Sequence, residues 1–206
     1  MVLLIIDGLD ASGKSTQAIS LGDFLHEKCG KTVLIRLHPS SDNFHGERAK
    51  CFLYQSGRNA HFAAAFFYMV DVIRSILLYS WRDYDYVIFI RYLMGTAYLP
   101  SPLHLISYHF FASIVPTSDL MFFLDVAPEE ALKRIRETRT RREMFENLDE
   151  LKETRQKALT LAQIGGWTII DANQAEERVG QAITLHLPCR QQLQQALDAT
   201  ESNEIA

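Results

Sequence analysis

One octapeptide, Gly8-Leu9-Asp10-Ala11-Ser12-Gly13-Lys14-Ser15, constrains the fold of this chain more than any other feature. It satisfies the pattern GxxxxGK[ST], directly behind the apolar run 2–7 and ahead of the helix-compatible stretch that starts at Thr16. A buried strand that feeds such a loop into a helix N-terminus makes a polyphosphate cradle. Backbone N–H groups from Gly8 and Ala11 to Thr16 wrap the phosphates, the Lys14 ammonium reaches the outer ones, and the Ser15 hydroxyl can ligate Mg²⁺. An ordinary strand-helix turn is the competing explanation. It does not require strand, loop and helix to occur in this order, and all three do. The ligand so implied is a nucleoside triphosphate.

The rest of the composition fits one domain around such a loop. With 206 residues, 48% of them hydrophobic, the chain can bury a single core on both faces of a sheet. The formal net charge of −4 offers no overall attraction to nucleic acid or to an anionic membrane, so a polyanion must be met by local arginines. Neither a nucleic-acid polymer nor a membrane is expected as a partner. Cys29, Cys51 and Cys189 are far apart, without a metal-ligand spacing or an even count, and read as free thiols of a reducing cytoplasm. The apolar run at 2–7 is too short for a signal peptide or a membrane span. Residues 191–206 are polar and read as a frayed tail behind a domain of 1–190.

Apolar runs recur at 2–7, 32–37, 86–90, 120–126 and 167–171, nearly continuous in Val, Ile, Leu and Phe. Such runs suit strands of a parallel sheet covered on both faces. Helix-compatible stretches at 14–28, 59–80, 103–114, 128–138, 148–164 and 174–185 supply the crossovers. The expected fold is therefore α/β, a P-loop NTPase-type parallel five-stranded sheet with helices on both faces. In such sheets ligands gather beyond the carboxyl ends of the strands, which directs attention to 7–10, 38–43, Arg91-Tyr92, Asp125 and 171–173. Arg91 can hold a second phosphate there; a strand-end salt bridge is the plainer alternative. Arg134, Arg136, Arg139, Arg141 and Arg142 form a dense run read as a lid over about 136–147, with a solvated helix face as the alternative. Phe66 and Phe67 are expected to cover the sheet, and Tyr68, with its polar tip, to face a pocket. None of His38, His45, His61, His104 and His109 reads as a metal ligand.

The phosphate loop Asp7-Gly8-Leu9-Asp10-Ala11-Ser12-Gly13-Lys14-Ser15-Thr16, the segment Leu124-Asp125-Val126-Ala127-Pro128-Glu129-Glu130-Ala131-Leu132-Lys133-Arg134-Ile135 and the arginine-rich stretch before Phe145-Glu146 resemble the thymidylate kinase family of nucleoside monophosphate kinases, over about residues 1–185. The resemblance implies transfer of the ATP γ-phosphoryl group to a nucleoside monophosphate, dTMP first among them, with Mg²⁺ as cofactor and a homodimer as the assembly. It gives Asp10 the deoxyribose 3′-hydroxyl, Tyr68 the stacking contact on the base, and Arg91 and Tyr92 places beside the acceptor. Lys14, Ser15 and Thr16 match the donor-phosphate and magnesium residues. Position 11, Arg in one subtype, is Ala here, which passes that charge to Arg139, Arg141 and Arg142 in the lid. The family's DR[YF] signature reads Ile90-Arg91-Tyr92, without its acid, the segment after the second strand departs as His38-Pro39-Ser40-Ser41-Asp42, and an expected Arg is Val72. Those departures leave open an ATP-binding regulatory protein of little turnover, or a P-loop kinase for another nucleotide or small molecule.

Overall fold

The computed structural model describes residues 1–55, 58–79, 82–138 and 147–190. Five strands, β1 Val2–Gly8, β2 Val33–Leu37, β3 Tyr86–Ile90, β4 Met121–Asp125 and β5 Thr168–Asp171, form one sheet in the order β2-β3-β1-β4-β5. Every pairing is parallel, with Ile6 opposite Ile90 and Gly8 opposite Leu124, so β1 lies at the centre and its end meets the ends of β3 and β4. The expected α/β architecture is what the chain adopts. β1 and β3 carry apolar side chains on both faces because both faces are covered. Leu4, Ile6, Ile88, Ile90, Phe122 and Leu124 pack into one core cluster and Ile5, Val87, Phe89, Met121 and Phe123 into the other.

The first cluster is closed by α1 Lys14–Cys29, α5 Pro128–Thr138 and α7 Glu176–Thr184. The second is closed by α3 Arg58–Tyr79, α4 Leu103–Ile114 and part of α6 Leu148–Ile164. α5 begins on Pro128 with Glu129 and Glu130 in its first turn and Arg136 in its last, a charge order that complements the helix dipole. Two elements escape the sequence periodicity: α2 Phe44–Leu53 and a 3₁₀ turn at Met94–Tyr98. In α2 only Gly46 and Ala49 are buried, so no apolar stripe betrays it. Its signal is instead Asn43, whose side chain accepts from the N–H groups of His45 and Gly46 at 2.9 and 3.1 Å.

Two expectations need correction. Phe66 does not cover the sheet but stands 64% exposed, while Phe67 packs inward against the second cluster, because neighbours on a helix point about 100° apart. Cys29 and Cys189 are not free thiols: they form a disulfide, with 6.3 Å between their Cα atoms across 160 residues of sequence. The sheet brings the end of α1 next to the segment after α7, a proximity that spacing along the chain does not reveal. Cys51 is free and exposed. Within α3, Phe62–Tyr79 is long and apolar enough to cross a membrane by length and composition, yet Tyr68, Met69 and Val72 on it are buried in the second cluster. Residues 139–146 and 191–206, which hold most of the lid run and the tail, lie outside the described residues.

Candidate active site

The phosphate loop follows from three backbone constraints. Gly8 has φ +151°, and a Cβ there would come within 2.5 Å of the Leu124 carbonyl oxygen, so only glycine lets β1 finish against β4. Gly13, at φ +89°, turns the chain into α1. Between them Ala11 takes a left-handed φ of +57°. Lys14 folds back beneath the loop, donating to the carbonyl oxygens of Gly8 at 2.9 Å and of Leu9, and to Ser12 Oγ at 3.4 Å. Its charge therefore sits under the bend. The N-cap residue of α1, Gly13, has no side chain to cap the helix and no acid lies in the first turn, so the positive end of the helix faces the opening. Ser15 and Thr16 are exposed there.

A cleft of about 680 Å³ opens over this loop, lined by Ala11 to Thr16 and, across from them, by His38, Arg91, Arg134 and the 172–176 segment. Gln17 holds that last segment, its amide donating to the Glu176 carbonyl at 2.9 Å. A second cavity of about 60 Å³ adjoins the cleft and shares Pro39, Leu53 and Arg91 with it. Its other walls include Asp7, Gly8, Asp10, Ala64, Tyr68, Gly95 and Tyr98. Asp10, Tyr68 and Arg91, singled out separately in the sequence, thus meet at one cavity, and Lys14 and Ser15 face the other. Arg91 stands at the junction, its backbone at φ +61° and its guanidinium paired with the Asp10 carboxylate.

Tyr68 is held at its tip and along its edge. Its hydroxyl donates to the Tyr92 carbonyl at 3.1 Å, and burial raises the phenol well above its usual pKa, so it stays protonated. A Cβ at Gly95 would lie 2.6 Å from the ring, so the absent side chain leaves the space this ring occupies. Tyr92 lies apart from the predicted substrate contacts. Its side chain is fully buried against Phe89 and donates to the Pro116 carbonyl at 2.9 Å; it lines neither cavity, and only its backbone serves the site. The left-handed turn at Arg91 breaks the strand alternation, so that Arg91 reaches the rim while Tyr92 packs beside Phe89 in the second cluster rather than on the face of Ile90.

Three further residues shape the site. Asp7 is 2% exposed, and one carboxylate oxygen accepts from the N–H groups of Tyr92 (2.7 Å) and Met94 (3.2 Å), the other from that of Gly8 (2.9 Å). Burial raises its pKa, opposed by those N–H groups and by Lys14. Its place at the end of an apolar run was the available signal. Arg134 reaches from α5 to the carbonyl oxygens of Ala11 (3.4 Å) and Ala172 (3.3 Å) and pairs with Glu130 at 2.9 Å, tying the phosphate loop to the end of β5. His38, placed by the strand-end rule within the 38–43 rim and not read as a metal ligand, is buried beside Arg91.

Position 90, acidic in the signature this chain resembles, is filled by Ile90, 2% exposed within the first core cluster. Asp125 is engaged by Arg155 through two contacts of 2.6 and 2.7 Å. Among the described residues no group of three or more His, Cys, Asp or Glu is placed to hold a metal ion. The donor set fits Mg²⁺ carried chiefly by nucleotide phosphates, with the Ser15 hydroxyl as a protein ligand. Arg139, Arg141 and Arg142 lie outside the described residues.

A family model described as thymidylate kinase matches residues 6–183. The chain belongs to the thymidylate kinase family. Three relatives described as probable thymidylate kinases accompany that match. The protein of Staphylothermus marinus is 29% identical over 182 residues, 85% of this chain and 89% of its own. That of Metallosphaera sedula is 28% identical over 180 residues, covering 87% and 88% of the two chains. That of Pyrobaculum calidifontis is 39% identical over 71 residues, 34% and 36% of the two. As a member of the thymidylate kinase family, the chain is a nucleoside monophosphate kinase, a phosphotransferase that uses a nucleotide.

Proposed function

We propose that the chain transfers the γ-phosphoryl group of ATP to the 5′-phosphate of dTMP, giving ADP and dTDP. The observation that carries this reading is the position of Arg91, between a cleft built on the phosphate loop and a cavity walled by Asp10 and Tyr68. ATP occupies the cleft, its phosphates on the N–H groups of Ala11 to Thr16. Asp10 receives the deoxyribose hydroxyl, Tyr68 lies against the base, and Arg91 meets the acceptor phosphate. Bound with ATP, Mg²⁺ supplies positive charge at the transferring phosphoryl group, and Ser15 is the protein ligand assigned to it. Lys14 adds a fixed cation beneath that group. The acceptor is already an anion, so no general base is needed, and orientation and charge carry the rate. Arg139, Arg141 and Arg142 are assigned to a lid that neutralises charge developing in the transition state.

Mg²⁺-ATP with a panel of nucleoside monophosphates, read by coupled ADP release, tests the reading. We expect the highest kcat/KM with dTMP. An acceptor that exceeds dTMP tenfold, about 1.4 kcal/mol in transition-state terms, would displace dTMP as the substrate. We also propose a homodimer. Ile106, Phe110 and Ile114, each over half exposed and spaced by four residues, form an apolar stripe on α4, and Phe66 is similarly bare on α3. Sedimentation velocity should show a dimer that Phe110→Asp converts to monomer, and a monomeric wild-type chain would remove the proposal. The cytoplasm is the compartment that these substrates suggest.

A further inference from the structure

Arg91 is one of two non-glycine residues with positive φ among the described residues, and the other, Ala11, lies in the phosphate loop. A left-handed backbone at a branch-free but bulky residue is strained, and such strain persists only where the surroundings enforce it. At Arg91 the enforcement comes from both sides of the residue. Its N–H donates to the Ile6 carbonyl of β1 at 3.1 Å. Its carbonyl oxygen is met by His38 Nδ1 at 3.1 Å, across from the end of β2. The His38 N–H donates in turn to the Ile90 carbonyl at 3.0 Å, which holds the imidazole in register with the residue it supports.

The hydrogen-bond partners fix the state of that imidazole. A carbonyl oxygen only accepts, so Nδ1 carries the proton. The ring is fully buried, and burial lowers its pKa to about 4, the Asp71 carboxylate raising it and Arg36 lowering it further; it is therefore neutral near pH 7 and Nε2 keeps a bare lone pair. That lone pair has no protein partner among the described residues. An apolar side chain would fill the same space against Phe89, whose ring lies 5.2 Å away, without burying an unpaired acceptor. What the imidazole alone provides at this position is the bond to the Arg91 carbonyl.

We propose that His38 is a positioning residue: its Nδ1–H locks Arg91 in the left-handed conformation that aims the guanidinium at the junction of the two cavities, where the acceptor phosphate is to be held. The inference rests on the dTMP kinase reading for its substrate, but the lock itself is a property of the free protein. His38→Asn keeps an N–H near the Nδ1 position, His38→Gln places its amide near Nε2 instead, and His38→Leu keeps volume without a donor. In crystal structures of the variants, Arg91 should keep its positive φ in His38→Asn and relax to negative φ in His38→Leu and His38→Gln. In steady-state assays, His38→Leu and His38→Gln should lose at least tenfold in kcat/KM for the acceptor while KM for ATP moves less than twofold. His38→Asn should recover most of that loss. Arg91 at positive φ in a folded His38→Leu or His38→Gln variant overturns the proposal, whatever the substrate proves to be. So does equal damage to acceptor and ATP kinetics. If wild type phosphorylates no monophosphate while Arg91 relaxes as expected, the kinase reading fails and the lock stands. Should His38→Leu not fold, the Asn and Gln variants supply the same comparison.

Discussion

At the scale of single residues, His38 also writes itself into the acid stability of the protein. An ordinary histidine titrates near 6.5, and this one, kept neutral by burial, near 4. Between those values the unfolded chain binds a proton at His38 that the folded chain refuses. The contribution is thus fully present above about pH 6.5 and is lost as pH falls toward about 4, below which it changes no further. At about 1.4 kcal/mol per pKa unit the loss amounts to roughly 3 kcal/mol. Urea denaturation of wild type and His38→Asn across pH 4–7 should give a steeper loss of stability for wild type by that order. Equal slopes would show that the imidazole is not neutral in the folded state. Asp7 titrates too, but it is common to both proteins and cancels in the difference.

At the scale of elements, the site depends on the end of β1 being fastened to the chain that leaves β3. Asp7 makes that connection, because one of its oxygens accepts from two donors of the turn, the N–H groups of Tyr92 and Met94 on either side of Leu93. An amide in its place can present an oxygen to one side only, leaving either the Gly8 N–H or the pair beyond β3 facing another donor. Hydrogen bonds to a charged group contribute about 1.5–3 kcal/mol each and a buried unsatisfied donor costs a similar amount. Asp7→Asn should therefore lower unfolding free energy by roughly 2–4 kcal/mol and depress kcat, since Arg91 and the phosphate loop are both displaced. A variant with wild-type stability and turnover would mean that the loop after β3 is held by its own packing. Asp7 was legible in the sequence as a strand-end acid beside the phosphate loop, but its role was not. Its partners are backbone N–H groups some 85 residues away in sequence, which no side-chain pattern announces. The same limit explains Tyr92: its neighbour Arg91 drew it toward the substrate, and the left-handed backbone at Arg91, which no side-chain pattern announces, turns it into the second cluster. α2 escaped for the opposite reason: it buries too little to leave an apolar period.

At the scale of the molecule, the sheet was readable because its strands are apolar on both faces and separated by helix-length stretches, and local pattern suffices for that. Contacts that close the molecule end to end are another matter. Cys29 and Cys189 are 160 residues apart, and only after the sheet is assembled does the C-terminal end of α1 meet the segment that follows α7. A cross-link closing so long a loop removes much of the freedom of the unfolded chain. The chain-entropy relation gives about 5 kcal/mol for a loop of this size, and native disulfides deliver about 2–5 kcal/mol when removed. The bond joins the C-terminal end of α1, a helix that begins at the phosphate loop, to the segment that follows α7, a helix whose first turns line the cleft, so its stabilisation is felt by the whole domain. Denaturation in urea with and without reductant should show wild type losing about 2–5 kcal/mol on reduction. The Cys29→Ser/Cys189→Ser double variant should match reduced wild type and be indifferent to reductant. The reduced protein should keep its nucleotide cleft, since neither Cys29 nor Cys189 lines it. A wild-type curve unmoved by reductant, together with two titratable thiols besides Cys51 in the unreduced folded protein, would show that the two cysteines lie side by side without a bond.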